Sequence, residues 1–83
     1  MPALKTVDRV QTGVRLEKKT LKVLKALAAH HEMGLGDLIE GVVLHSFEGR
    51  TPFNDETLHF IAQMKTAYGH DLTAEDSHAL RER

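Results

Sequence analysis

The feature that most constrains this 83-residue chain is one alternating stretch near its start. From Arg9 to Leu16, Val10, Thr12, Val14 and Leu16 form one row, and Arg9, Gln11, Gly13 and Arg15 form the other. The first row is mostly apolar and the second has no apolar side chain, which is the period-2 pattern of a strand with one wet face. No second stretch of this kind follows. A lone strand leaves a row of backbone donors and acceptors unmet, so the pattern predicts pairing with the same strand of a second copy. A two-fold axis would make that pair an antiparallel ribbon. Size points the same way: chains this short rarely build a core worth more than ~3–5 kcal/mol alone. With no cysteine, neither a disulfide nor a thiolate metal site is available as a staple. The expectation is an obligate homodimer.

The rest of the chain reads as helix. Leu21, Leu24, Leu27, Ala28 and His31 recur at spacings of three and four, predicting a helix from Lys18 to about Met33. Glu17 offers only a carboxylate near its positive end, and Gly34 is expected as its left-handed stop. A second helix is predicted from about Asp37 to Phe47, with Gly36 as N-cap and Leu35 as a staple. Its apolar face (Leu38, Ile39, Val42, Val43, Phe47) is broad, is widened further by Leu44, and calls for burial on more than one side. Gly41 inside it suggests a close helix approach, since glycine there costs ~1 kcal/mol relative to alanine. Pro52 breaks the chain. A third helix is predicted after Asn54, with Asp55 and Glu56 in its first turn and Gly69 at its end. Thr73 and Asp76 resemble a capping box for a short fourth helix running to Arg83.

Charge is distributed unevenly. Residues 1–25 hold seven bases (Lys5, Arg9, Arg15, Lys18, Lys19, Lys22, Lys25) against two acids, and the remainder holds four bases against ten acids. A basic head on an acidic body suggests that the head meets a polyanion; a solvated helix face would have the same composition. No apolar run approaches the ~18–20 residues that span a bilayer. Met1 to Asp8 lacks the apolar stretch of a signal peptide, so the expected compartment is the cytoplasm.

Strand, helix, a glycine-containing turn and a second apolar helix within about forty residues resemble the ribbon-helix-helix DNA-binding family, also called Arc/MetJ or CopG-like. The residues carrying the resemblance are Val10 to Leu16, Leu21 to Ala28, the turn Met33 to Gly36, and Leu38 to Phe47. It covers about half the chain. It implies a mainly α fold with one short β-strand: an intertwined homodimer with a two-stranded antiparallel ribbon and one or two extra C-terminal helices. The corresponding divisions are an N-terminal arm (1–7), a ribbon-helix-helix domain (8–48) and a C-terminal helical extension (49–83). The dimer interface would be formed by Val10, Thr12, Val14, Leu16, Leu38, Ile39, Val42, Val43 and Phe47.

The resemblance also implies a function. The ribbon would lie in the major groove of double-stranded DNA, with Gln11, Gly13 and Arg15 at the base edges and Arg9 near the rim. Arginine can bond guanine O6 and N7, and glutamine adenine N6 and N7. Gly13 departs from the family's polar residue and removes one reader. Phosphate would sit on the backbone amides beginning at Gly36, although Asp37 and Glu40 oppose an anion there. Lys18, Lys19, Lys22 and Lys5 are further phosphate partners that position without reading sequence. The protein would be a sequence-specific transcriptional regulator, expected to be a repressor. Two other readings stay open: an antitoxin whose C-terminal segment binds a toxin protein, and a dimerisation or interaction module that binds no DNA.

Other chemistry finds little support. Of the six histidines, His30 and His31 point to different helix faces, and none pairs at i, i+4; no metal or other cofactor is expected. Ser46 and Ser77 lie in no nucleophile motif, and no glycine-rich phosphate loop occurs, so no catalysis is expected. Phe53, Phe60, Ile61, Met64 and Tyr68 are expected to complete the core by packing the third helix on the second.

Overall fold

The computed structural model describes residues 3–83, so the first two residues of the expected arm lie outside the described residues. Three helices follow one another: α1 (Lys18–His30), α2 (Leu35–Phe47) and α3 (Asp55–Tyr68), with a single 3₁₀ turn at Ala74–Asp76. α1 is the shared element and packs against both α2 and α3.

The core is small. Val23, Leu27, Ala28 and Leu38 are its buried apolar residues, with Leu27 only 1% exposed. Leu24, Val42, Phe53, Phe60 and Ile61 pack around the Leu27, Ala28 and Leu38 cluster. Val23 lies outside the expected α1 stripe yet is buried, because a helix with a neighbour on each side needs a wider apolar face. His31, placed on that stripe by spacing, is exposed. Phe60 and Ile61 serve the core as expected, packing on the Leu27, Ala28 and Leu38 cluster while α3 contacts α1. His30 also stacks on Phe60, with ring centroids 4.0 Å apart.

The ribbon is absent. Among the described residues there is no strand, and the expected ribbon-helix-helix architecture gives way to a small all-helical fold. Residues 3–17, which form the arm of the folded chain, belong to no regular element, and Val10 and Val14 are 87% and 72% exposed. Alternation decides which side chains a strand would turn to each face, but a strand also needs a neighbour to receive its backbone bonds. This chain holds no second alternating stretch to provide one.

Helix ends explain the remaining differences. α1 stops at His30 because Met33 N–H returns to Ala28 O (3.0 Å) and Glu32 N–H to Ala29 O (3.0 Å). This is a Schellman closure with Glu32 in the left-handed position, at φ 55°. Gly34 is therefore not the stop; at φ −71°, ψ 155° it is the N-cap of α2. α2 starts two residues earlier than expected, with Leu35 and Gly36 inside its first turn. Its end and that of α3 close in the same way, with Gly49 and Gly69 at φ 69° and 67°. Asn54 caps α3 as expected, its side chain accepting from Thr57 N–H at 2.8 Å. The Thr73–Asp76 capping box forms too, but only a three-residue turn follows it. Ser77 leaves helical geometry at ψ 131°, so the expected fourth helix is replaced by a tail without regular structure.

Gly41 meets no neighbour: a Cβ placed there has nothing within 4 Å. The close helix approach expected at this position is not made within the chain. Glu32, by contrast, carries a real backbone cost, since a left-handed non-glycine residue is strained by roughly 1–2 kcal/mol. Glu32→Gly is expected to stabilise the fold by about 1 kcal/mol, after the unfolded chain's added freedom is subtracted. Urea unfolding compared with wild type measures this, and an unchanged or lower midpoint would contradict the Schellman assignment.

Candidate nucleic-acid interface

The junction between the basic arm and α1 is built around Glu17. Its carboxylate accepts from Lys19 N–H (2.8 Å), Thr20 N–H (2.7 Å) and the Thr20 hydroxyl (2.8 Å). These bonds favour the charged form and hold the Glu17 carboxyl down to about 2 from its ordinary 4.5. Glu17 is thus a full N-cap of α1, where sequence indicated only a favourable charge. It also occupies the amides at that helix end.

Thr20 passes the arrangement on to the tail. Its hydroxyl donates to Glu17, so it accepts from His70 Nε2 at 2.8 Å. His70 has a side chain 9% exposed and lies 3.9 Å from Glu17 Oε1. Its Nδ1 is buried without a hydrogen-bond partner among the described residues. Next to it, Lys19 Nζ donates to Gly69 O at 3.1 Å. The end of α3 is in this way pinned to the start of α1, and the chain beyond it turns back toward the arm. The pairing of Thr20 with His70 spans fifty residues and carries no local sequence signal.

The tail brings charge to the head. An open cleft of about 940 Å³ lies between the start of α1 and the tail, lined by Arg15, Lys18, Lys19, Arg81 and Arg83 with Glu17, Asp71 and Glu82. Five basic side chains there meet three acidic ones, so the cleft has a basic excess, with Arg15 and Glu82 paired to each other. Sequence reading assigned Arg81 and Arg83 to the acidic half; only the return of the chain at His70 places them beside Lys18 and Lys19.

The residues expected to meet DNA are distributed as follows. Gln11 and Gly13 are exposed on the arm, and Lys5, Lys18 and Lys22 are exposed as well. Lys22 Nζ lies 6.0 Å from the Tyr68 ring centroid, at the outer reach of a cation–π contact. Both arm arginines are paired. Arg9 forms a two-pronged pair with Glu40 of α2 (Nε 3.2 Å, guanidinium nitrogen 3.0 Å), and Arg15 pairs with Glu82 at 2.9 Å. The hydrogen bonds and charge of Arg9 lower the Glu40 carboxyl, and Glu40 raises Arg9 in turn. Gly36 lies in the first turn of α2, not at its cap, with Asp37 beside it in the same turn.

The residues expected at a dimer interface divide into two groups. Leu38 is buried in the protomer's own core, and Ile39 and Val42 are half-buried. Val43, Leu44 and Phe47 face outward, with Leu44 62% and Phe47 79% exposed. Val10, Thr12, Val14 and Leu16 are uncovered on the arm.

Among the described residues no cluster of three or more histidine or acidic side chains is arranged to hold a metal ion, and no helix is long and apolar enough to cross a membrane. No family model, curated protein or solved structure matches the chain.

The Glu17 cap makes a signed pH prediction. Because the folded state holds this carboxyl down to about 2, its contribution is fully present above about 4.5 and is lost as pH falls from there toward 2. Glu17→Ala is expected to lower Tm by several degrees at neutral pH. The gap from wild type should close progressively across that acid window. Thermal melts over pH measure it, and a gap that persisted unchanged at the acid limit would refute the cap's role.

Proposed function

We propose that the protein binds double-stranded DNA as a homodimer and acts as a transcriptional regulator of the repressor type. The observation that carries the reading is the concentration of basic side chains on one part of the molecule. Arg15 of the arm and Lys18 and Lys19 at the start of α1 line one cleft with Arg81 and Arg83 of the tail, and Lys5, Arg9 and Lys22 are exposed on the arm and α1 besides. A chain with formal net charge −1 gathers these groups against its overall balance. Such a surface suits a phosphate backbone, whose released counterions drive binding. Gln11 on the exposed arm has the donor and acceptor needed at an adenine edge. An arm without regular structure can order on a duplex as it binds.

Dimerisation is supported by what the protomer leaves uncovered. Four buried apolar residues make a thin core, while Val43, Leu44 and Phe47 lie together on the outer side of α2. A second copy presenting the same helix would bury them symmetrically.

The partner-binding reading also has an observation behind it. α3 is joined to α1 through the core and the His70 contacts, so of the C-terminal half the tail beyond Asp76, held by the exposed Arg15–Glu82 pair, is the part most readily released to wrap a toxin or other protein. That tail exposes Leu80.

Selection from a random duplex pool, followed by salt titration, tests the DNA reading. Affinity should fall linearly on a logarithmic salt scale, and the slope should drop by about one for each phosphate contact removed, as in Lys18→Ala/Lys22→Ala. Gln11→Ala/Arg15→Ala should reduce discrimination between duplexes. Enrichment of no duplex at low salt would refute DNA binding. For the dimer, Leu44→Asp/Phe47→Asp is expected to shift sedimentation from dimer to monomer while helix content is retained. A wild-type protein that sediments as a monomer at high concentration would refute the dimer.

A further inference from the structure

We propose that Glu40 and Glu82 act as internal stand-ins for phosphate, holding the two arm arginines and competing with DNA for them. The inference rests on the DNA-binding reading and adds a regulatory contact to it. The arm has no backbone hydrogen bond to the helices among the described residues upstream of Glu17. Its polar ties to the rest of the fold are Arg9 to Glu40 and Arg15 to Glu82. These acids come from different elements, 31 and 67 residues along the chain from their partners. Local sequence therefore did not bring them together; the fold did.

The geometry suits competition. Glu40 meets Arg9 through two nitrogens, the fork arrangement by which arginine also grips a phosphate. An arginine held by a carboxylate has fewer donors for an incoming anion. Both pairs are solvent-exposed, so each is weak, readily displaced by a polyanion, and lowers affinity by a few-fold at most. Glu82 is flanked by Arg81 and Arg83. Deleting the tail would thus remove two phosphate partners along with one competitor, whereas a point change at Glu82 removes the competitor alone.

The test is binding of a short random-sequence duplex at low salt by wild type and by Glu40→Gln/Glu82→Gln. The control is Glu32→Gln/Glu56→Gln, which makes the same change in net charge at exposed sites paired with no arm residue. Helix content is checked for each protein. Removing each internal pair is expected to raise affinity by roughly two- to fivefold beyond the control. The excess should disappear when Arg9 and Arg15 are both alanine, as a double-mutant cycle requires. An affinity gain equal to the control's, or one that persists without the arginines, would overturn the proposal and leave DNA binding standing. Absence of binding by every protein would overturn DNA binding, and the competition with it.

Discussion

Everything in this fold depends on the contact that α1 makes on two sides. Leu27 is sealed between neighbours, and Ala28 beside it is small enough to let Leu38 of α2 approach. α2 and α3 both pack on α1 instead of forming one face together. Apolar burial is therefore concentrated in a few side chains, of which Val23, Leu27 and Leu38 each contribute on the order of 1.5–3 kcal/mol before ordering entropy is subtracted. Such a core can orient three helices. It cannot also cover the outer side of α2 or hold the arm, which is why Phe47 and the arm's valines remain in water.

The second organising element is electrostatic. Near neutrality of the whole chain conceals a basic head, and the fold sharpens that asymmetry. Glu17 caps α1 with its carboxylate held ionised, and Thr20 and His70 bring the C-terminal arginines alongside. Opposing this, Glu40 and Glu82 approach the arm. The arm thus carries basic groups together with the acids that pair with them. Because these pairs are exposed, ionic strength acts on them.

Local chemistry was legible wherever a residue's role depends on its immediate neighbours. Asn54 as a cap, Gly69 as a left-handed stop and the Thr73–Asp76 box follow from side-chain geometry within one turn, and all are present. Three helices in the expected order follow from apolar periodicity. Local reasoning misplaced the turn between α1 and α2, since Glu32 takes a position that glycine usually fills. The closing bonds to Ala28 and Ala29 outweigh its strain, and that comparison cannot be made from residue preference alone.

The arm marks the boundary between what the sequence by itself determined and what only the tertiary structure decided. Alternation from Arg9 to Leu16 determined two chemically distinct rows and the position of the basic head. It could not supply a ladder partner, so no strand follows from it. The order of the three helices and the caps at Asn54 and Thr73 were likewise determined locally, because capping and periodicity act over three or four residues. The burial of Val23, the contact of His70 with Thr20, and the pairing of Arg9 and Arg15 with distant glutamates were decided by tertiary structure. Each joins residues far apart in the chain, and such contacts exist only once α1 has drawn its two neighbours into place.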